Sequence, residues 1–192
     1  MERTTDSSEK HPAVRTGIAA AIVVMGVSGS GKSTLARRLG QRLEAMVIEG
    51  DEYHSALNVA KMSAGVALLD EDRWPWLDRV AGAIRQATEQ NRRVVCACSA
   101  LKRSYRDRLR AAAKRSLFFV FLQADTRVLE SRLRARSEHF MPPSLLKSQL
   151  DDLEVPQSDE ASLQLSSAGD IDEAVAQVLE RLRGLASDHP RN

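Results

Sequence analysis

The sequence predicts an α/β fold built on a parallel β-sheet. Short apolar runs alternate along the chain with amphipathic helical stretches, the pattern of parallel strands that helices cover on both faces. The first apolar run ends at a glycine-rich loop, and a helical stretch follows this loop directly. The chain has 192 residues, 43% of them hydrophobic, which is enough for one core of ordinary size. We therefore expect a single domain.

The predicted strands and helices alternate in chain order. Strands are expected at 19–25, 46–48, 93–98, 117–122 and 161–166. Helices are expected at about 33–44, 55–65, 74–90, 103–114, 126–136, 144–153 and 170–185. Pro75 would then lie in the first turn of the third helix, where proline is tolerated.

Three segments fall outside this alternation. Residues 1–17 are polar and aperiodic, which predicts a disordered N-terminal arm, and residues 188–192 form a short tail, so the domain itself spans 18–187. Residues 137–159 contain three prolines and little apolar periodicity. A long polar segment inside a compact domain is typical of a mobile lid.

Composition excludes several classes of function. The net charge is only +2, so the overall field gives no reason to expect a nucleic-acid partner. No apolar stretch approaches the roughly 20 residues that span a bilayer, and no membrane association is expected. Cys96 and Cys98 lie two apart in a predicted strand, which favours buried thiols in a reducing cytoplasm over a disulfide or zinc site. A cytoplasmic protein is the expectation.

The glycine-rich loop matches the phosphate-binding pattern G-x-x-x-x-G-K-[ST] at every fixed position. We expect it to bind ATP through the following residues: Gly26, Val27, Ser28, Gly29, Ser30, Gly31, Lys32, Ser33 and Thr34. Backbone N–H groups and the start of the next helix would face the phosphates. Lys32 would act catalytically on the β- and γ-phosphates, and the hydroxyl of Ser33 would bind Mg²⁺. The alternative, a tight glycine turn without a ligand, fits this context poorly.

Two carboxylates follow the second predicted strand. Glu49 and Asp51 leave its carboxyl end, where open α/β sheets place their ligands. A carboxylate here can accept a proton from an acceptor hydroxyl or hold a magnesium ion and its water. A solvated pair that caps the next helix is the alternative for both residues.

Further motifs surround this segment. They are Glu49-Gly50-Asp51 with His54, Asn58 with Lys61-Met62, Asp70 with Asp72-Arg73 and Pro75-Trp76, Cys98 to Arg103 with Tyr105-Arg106-Asp107, Ser131-Arg132-Leu133 with Arg136, His139-Phe140-Met141-Pro142, the Leu150 to Pro156 stretch, and Asp159-Glu160. Together with the phosphate-binding loop they resemble the bacterial gluconokinases, over residues 22–160. The first acidic position is Asp in many members of that family and Glu49 in this chain.

The resemblance implies a fold and a reaction. The fold would be a three-layer P-loop kinase with a five-stranded parallel sheet in the order 2-3-1-4-5, and with a lid. The reaction would be phosphorylation of D-gluconate by ATP and Mg²⁺, with Ser33 and Glu49 at the metal. A shikimate kinase-like enzyme of the same fold and a non-catalytic ATP-sensing module are the alternatives. A homodimer is a further expectation, which no residue pattern decides.

Gluconate carries a carboxylate and a row of hydroxyls, so its site needs cationic groups and mixed donors and acceptors. The candidates for binding it are Asp51, His54, Lys61, Arg73 and Arg106. Lys61 and Arg106 could instead lie on solvated helix faces. Arg73 could form a helix-capping ion pair with Asp72, and His54 could be a structural histidine. Trp76 is expected to pack in the core.

A second basic cluster precedes the predicted lid. Arg132 and Arg136 are four residues apart and so share one helix face. The resemblance implies that Arg132 lies over the adenine and that Arg136 reaches the phosphates, where it would be catalytic. An exposed basic helix face is the alternative for the pair.

Overall fold

A computed structural model of the chain describes residues 21–134 and 145–187. Within these ranges there are five β-strands and seven α-helices. The strands are β1 (Ala21–Met25), β2 (Met46–Glu49), β3 (Val94–Ala97), β4 (Leu117–Gln123) and β5 (Ser162–Ser166). The helices are α1 (Lys32–Leu43), α2 (Ala56–Ser63), α3 (Asp70–Glu89), α4 (Arg103–Ala113), α5 (Thr126–Arg134), α6 (Leu146–Asp151) and α7 (Ile171–Ser187), with a 3-10 helix at Gly50–Tyr53.

The five strands form one parallel sheet in the order β2-β3-β1-β4-β5. The predicted order of 2-3-1-4-5 is therefore confirmed. β1 lies at the centre, where Val23 is paired with Cys96 of β3 on one side and with Phe119 of β4 on the other. All five residues of β1 are buried, as expected for an uncharged strand that helices cover on both faces.

Alternate residues of the strands face two separate cores. Val23 and Met25 of β1 belong to the core on the face covered by α3 and α4. Ile22 and Val24 belong to the core on the opposite face, with α1 and α7. This two-residue alternation produces the three layers, helices on each side of the sheet.

Helix α3 begins four residues earlier than predicted. It starts at Asp70, and the carboxylate of Asp72 accepts a hydrogen bond of 3.1 Å from the backbone N–H of Leu69. The prediction that Pro75 lies in the first turn was therefore wrong, since Pro75 is the sixth residue of the helix. Three acidic residues in the first turn stabilise the earlier start, because they complement the positive end of the helix.

The two cysteines are free and fully buried, as the sequence predicts. Burial in β3 and in the residue that follows it removes water from both thiols. This raises the pKa of Cys98 to about 12 and the pKa of Cys96 well above its ordinary value. Both thiols therefore stay protonated and unreactive at neutral pH.

Residues 145–159, the described part of the predicted lid, are attached to the core. Leu146 of α6 packs in a small apolar cluster with residues of the phosphate-binding loop and α5. Glu154 accepts a hydrogen bond of 2.6 Å from the backbone N–H of Arg103, whose guanidinium binds both carboxylate oxygens of Asp159. Residues 137–144, where the rest of the predicted lid falls, lie outside the described residues, as do the predicted arm and tail.

Arg106 is buried at the start of α4, where the sequence predicts a substrate-binding residue. Its Nε and Nη2 donate to the two carboxylate oxygens of Glu160, each at 2.7 Å. Its Nη1 donates to the carbonyl oxygens of Ala100, Leu101 and Glu154. Both side chains of the Arg106–Glu160 pair are only 1% exposed. The ion pair thus holds the segment before β5 against α4. The sequence predicted either a substrate ligand or a solvated side chain at Arg106, and neither interpretation included this structural role.

The first prediction concerns the substitution Glu160→Gln. It leaves the Arg106 charge buried and unpaired, so we expect the free energy of unfolding at pH 7 to fall by about 3–5 kcal/mol. Hydrogen bonds from Arg106 lower the pKa of Glu160 from 4.5 to about 2, so the ionised carboxylate adds stability above pH 4.5. That contribution is lost as the pH falls toward 2, and the difference from the wild type should narrow over this window. Urea denaturation of both proteins at several pH values measures this difference in the free energy of unfolding.

The control for this prediction is Asp159→Asn. Asp159 also pairs with an arginine, but its side chain is 58% exposed and that of Arg103 is 46% exposed. We expect a loss within about 1 kcal/mol for this exposed pair. An equally small loss for Glu160→Gln would contradict the role given to the buried pair.

Candidate active site

The phosphate-binding loop connects β1 to α1 and depends on glycine at two positions. Gly26 has a φ of 140°, and a Cβ there would lie 2.8 Å from the carbonyl oxygen of Leu122 in β4. Gly31 has a φ of 100° and forms the N-cap of α1. These conformations are strained for residues with a side chain. The loop can therefore curve tightly and turn its N–H groups toward a common centre.

The side chains of this loop are arranged for an anion. The Nζ of Lys32 donates to the carbonyl oxygen of Val27 at 3.0 Å, which folds this side chain back over the loop. The hydroxyl of Ser30 is buried and has no hydrogen-bond partner among the described residues. Buried polar groups are normally paired, so this hydroxyl fits an oxygen that a bound ligand would supply. The positive end of the α1 dipole lies at the same place.

Ser33 and Glu49 meet beside the loop. The hydroxyl of Ser33 donates to a carboxylate oxygen of Glu49 at 2.8 Å, and Arg37 approaches the other carboxylate oxygen at 3.2 Å. A hydroxyl and a carboxylate are the oxygen ligands that hard divalent cations prefer. The described residues include no group of three or more acidic, histidine or cysteine side chains that could hold a metal by themselves. Ser33 and Glu49 thus supply a partial ligand set, as in sites that phosphates and water complete.

A cavity of about 240 Å³ is lined by Gly29, Ser30 and Gly31 of the phosphate-binding loop. Arg132 of α5 lines it and donates to the carbonyl oxygens of Gly29, at 3.4 Å, and of Ser167, at 3.0 Å. The hydroxyl of Ser167 is buried without a partner in the described chain. The predicted nucleotide residue Arg132 is thus brought to the loop. Arg136, the other predicted arginine, lies outside the described residues.

A second cleft is lined by other residues of the phosphate-binding loop, Ser28 and Lys32. Lys32 forms part of its wall together with four residues that follow β2 or lie on α3: Asp51, His54, Arg73 and Trp76. Three of the five predicted substrate residues therefore share one cleft with the predicted catalytic lysine.

The 3-10 helix that carries Asp51 is packed tightly against the end of β3. A Cβ on Gly50 would lie 2.7 Å from the carbonyl oxygen of Ala97, so only glycine allows this approach. The indole Nε1 of Trp76 donates to the carbonyl oxygen of Gly50 at 2.7 Å. Trp76 is 2% exposed, which agrees with its predicted place in the core. Together these contacts hold Asp51 at the carboxyl edge of the sheet.

His54 is stacked on Trp76, with ring centroids 4.2 Å apart and planes within 13°. The amide nitrogen of Asn58 donates to the carbonyl oxygen of Asp72 at 2.8 Å and lies 3.5 Å from the Nδ1 of His54. Burial lowers the pKa of His54 to about 4, against an opposing effect of the Asp51 carboxylate. His54 is therefore neutral at pH 7, and a hydrogen bond from the Asn58 amide to Nδ1 would place its proton on Nε2.

Arg73 is 8% exposed and is anchored at one end of its guanidinium. Its Nη1 donates to the hydroxyl of Tyr105 at 2.8 Å and to a carboxylate oxygen of Asp152 at 2.6 Å. Its Nε and Nη2 make no hydrogen bond within the described part of the chain. This free edge is a planar fork of two N–H groups, which matches a carboxylate in bidentate geometry.

Two predicted substrate residues do not reach the cleft. Lys61 forms an ion pair of 2.6 Å with Asp72 at the start of α3, and Arg106 is held by Glu160 as described above. For Arg106, which is completely buried, the substrate-binding prediction is corrected, and for Lys61 it stays an untested prediction. The alternative for Arg73, a capping ion pair with Asp72, is replaced by the pair between Arg73 and Asp152.

Some residues of the cleft are not recognisable from local sequence. Gln149 of α6 lines it, and its Oε1 accepts a hydrogen bond of 2.6 Å from the backbone N–H of Ser28, 121 residues away. Asp152 meets Arg73 across 79 residues. Asp152 belongs to the Leu150 to Pro156 stretch, which the resemblance assigns only to the lid, and no motif marks Gln149, because each contact forms only when α6 folds back onto the sheet. Tyr105 belongs to a motif quoted above, but its contact with Arg73 is likewise tertiary.

A parallel sheet in this strand order, a phosphate-binding loop after its central strand and a cleft beside that loop that contains a carboxylate define a P-loop kinase. Such proteins bind nucleotides at this loop.

None of the helices in the described part of the chain has the length and apolar character of a membrane span.

Comparison with known proteins identifies the family. A family model described as an AAA domain matches residues 22–156. The thermosensitive gluconokinase of Escherichia coli (strain K12) is 41% identical over 161 residues, 84% of this chain and 84% of that protein. The gluconokinase of Gluconobacter oxydans (strain 621H) is 47% identical over 145 residues, 76% of this chain and 81% of that protein. This chain belongs to the gluconokinase family.

A solved structure agrees with this assignment. The crystal structure of a gluconokinase from Sinorhizobium meliloti 1021 superposes with a TM-score of 0.77 and 43% sequence identity, covering 88% of this chain and 94% of that one. The sequence resemblance to gluconokinases is thereby confirmed for both fold and family.

The second prediction concerns the titration of His54. Burial against Trp76 should make its ring titrate near pH 4 in an NMR experiment, with the signal assigned through a His54→Gln variant. Because the Asp51 charge raises this pKa, Asp51→Asn should lower it further. Since the folded-state pKa is below the usual 6.5, stability should decrease as the pH falls from 6.5 to 4. A titration near pH 6.5 would contradict the buried, neutral ring.

Proposed function

We propose that this protein transfers the γ-phosphoryl group of ATP to D-gluconate, giving ADP and 6-phospho-D-gluconate. The observation that carries the proposal is one cleft shared by Lys32 of the phosphate-binding loop, Asp51 and Arg73, whose Nε and Nη2 have no hydrogen bond within the described chain. It combines a phosphate site, a carboxylate that can accept a proton and a fork for an anionic acceptor. Membership of the gluconokinase family supports the same substrate.

Arg73 and His54 would bind the acceptor. The Nε and Nη2 of Arg73 match the carboxylate of gluconate, and the anchored Nη1 keeps the guanidinium in place for it. The neutral ring of His54 offers an N–H at Nε2 to one of the substrate hydroxyls. A charged histidine would add nonspecific attraction for any anion, so a neutral one favours recognition of a polyol chain.

Asp51 would act on the reacting hydroxyl. Its carboxylate orients this hydroxyl and accepts its proton as the oxygen attacks the γ-phosphorus. The new oxygen–phosphorus bond forms while the bond from the γ-phosphorus to the bridging oxygen of ADP breaks. The proton remains on Asp51 until it passes to solvent.

The phosphate-binding loop would hold the donor. Lys32 and the N–H groups at the start of α1 bind the phosphate oxygens, with Thr34 at the α-phosphate and Arg132 over the adenine. Ser33 and Glu49 would hold Mg²⁺, which neutralises charge on the β- and γ-phosphates. Arg136 stays a proposed ligand of the transferring phosphoryl group.

We also propose that the protein works in the cytoplasm. Both cysteines are buried and free, as is usual in proteins of a reducing compartment. ATP, the proposed donor, is consistent with that compartment.

The third prediction is the direct test of this function. An ADP-release assay should show turnover with D-gluconate and none above background with shikimate or nucleoside monophosphates, because the chain belongs to the gluconokinase family and its cleft combines Arg73 with His54. Mass spectrometry of the product should show one added phosphate. Faster turnover with one of the other acceptors would overturn the proposed substrate, and ATP binding without turnover on any acceptor would favour a sensing module.

The fourth prediction concerns Asp51→Asn. The amide keeps the shape of the side chain but cannot accept the proton, so kcat with D-gluconate should fall by about 10²- to 10⁴-fold. The dissociation constant for ATP should move only a few-fold, since Asp51 is not part of the phosphate-binding loop. Steady-state kinetics, ATP binding and thermal melting on one preparation measure these effects.

The matched control is Glu52→Gln, which removes the neighbouring carboxylate of the same 3-10 helix. Glu52 is exposed, so this change should leave kcat and Tm close to those of the wild type. A capping role for Asp51 predicts a different pattern, namely a stability loss of about 0.5–2 kcal/mol with normal turnover per folded molecule.

A further inference from the structure

Asp152 lies between two cations at the end of α6. One of its carboxylate oxygens is 2.6 Å from the Nη1 of Arg73, and the other is 3.2 Å from the Nζ of Lys102. The side chain of Asp152 is 23% exposed, so it is not part of the apolar core. Its two oxygens connect α3 with the residue that precedes α4.

These contacts belong to a closed ring of polar side chains. Lys102 is also 2.8 Å from a carboxylate oxygen of Asp70, and the hydroxyl of Tyr105 donates to that same oxygen. Tyr105 in turn accepts from the Nη1 of Arg73. The hydrogen bond to Asp70 raises the pKa of Lys102, and the hydrogen bonds from Lys102 and Tyr105 lower the pKa of Asp70. Both shifts favour the ionised forms of Lys102 and Asp70 at neutral pH.

The ring determines where the guanidinium of Arg73 points. A guanidinium is planar, and Nη1 has two hydrogens, one donated to Tyr105 and the other to Asp152. With both hydrogens engaged, the plane can neither rotate nor tilt without breaking a hydrogen bond. The Nε and Nη2 edge of Arg73, a residue of the cleft wall, is thereby held in one direction.

Orientation matters here more than net charge. The ring contains two cations, Arg73 and Lys102, and two anions, Asp70 and Asp152, so its formal charges cancel. An acceptor carboxylate would then be bound mainly by directed hydrogen bonds from one edge of Arg73. Such bonds depend on the position of the donor group to within a fraction of an ångström.

We propose that Asp152 is a positioning residue for the acceptor, which orients Arg73 so that its Nε and Nη2 bind the carboxylate of the substrate. The inference rests on the proposed function and extends it to a residue that the sequence placed only in the lid. Asp152 acts through Arg73 and does not itself contact the substrate.

The test compares D-gluconate with D-gluconamide, in which an uncharged amide replaces the carboxylate. Asp152→Asn keeps the size of the side chain but replaces one oxygen by an NH₂ group, which cannot accept from both Arg73 and Lys102. We expect kcat/KM for gluconate to fall about 10- to 100-fold, mainly through KM, the size expected for a lost charge-assisted hydrogen bond. The KM for ATP should change less than about two-fold. The preference for gluconate, which is the ratio of kcat/KM for gluconate to kcat/KM for gluconamide, should fall by the same factor as kcat/KM for gluconate.

Asp151→Asn is the matched control. Asp151 is the adjacent residue, but it pairs with Lys147 on the surface, where the two side chains are 63% and 85% exposed. Its kinetics and its gluconate preference should equal those of the wild type. Asp152→Glu retains both acceptor oxygens and should recover part of the preference, which separates positioning from a general loss of folding.

Arg73→Lys separates failure of this inference from failure of the proposed function. If Arg73→Lys raises the KM for gluconate but Asp152→Asn leaves the preference for gluconate unchanged, the positioning role is overturned and the acceptor site stands. If Arg73→Lys itself leaves the KM for gluconate unchanged, the acceptor site is wrong. A lower KM for gluconate in Asp152→Asn would also overturn the inference, since it would mean that Asp152 competes with the substrate for Arg73.

Discussion

The complete burial of β1 between β3 and β4 is the constraint on which the rest of the structure depends. Because β1 is covered on both faces and paired on both edges, its last residue delivers Gly26 to the middle of the carboxyl edge of the sheet. Gly26 then passes so close to β4 that no side chain fits. The phosphate-binding loop therefore has a rigid support, and Gly50 at the end of β2 meets the same edge through β3.

A second set of interactions builds the acceptor side of the cleft on this support. The segment after α6 crosses back over α3 and α4 and is held there by charged pairs, with Arg106–Glu160 buried and Arg73–Asp152 at the wall of the cleft. Burying these charges costs solvation, so each pair is stable only when both partners are present. The cleft thus forms only when parts of the chain up to 121 residues apart have come together.

Arg106 illustrates how sequence reasoning failed at this site. Its helix carries several arginines, and an arginine on an amphipathic helix reads equally well as a substrate ligand or as a solvated side chain. Its true partner, Glu160, lies 54 residues further along the chain. The predicted start of α3 was wrong for a local reason. Proline is more usual in the first turn of a helix, so Pro75 indicated a later start, whereas three acidic residues begin α3 earlier.

The sequence by itself determined the strand order through family resemblance, and it determined the phosphate-binding loop and the placement of Asp51 through local patterns. The loop and the placement of Asp51 depend on short-range rules: two-residue and 3.6-residue periodicities, glycine conformations and the position of a loop after a buried strand. Only the tertiary structure decided which cations reach the cleft and how Arg73 is oriented. Ion-pair partners are chosen by distance in space, and neither residue type nor spacing along the chain contains that information.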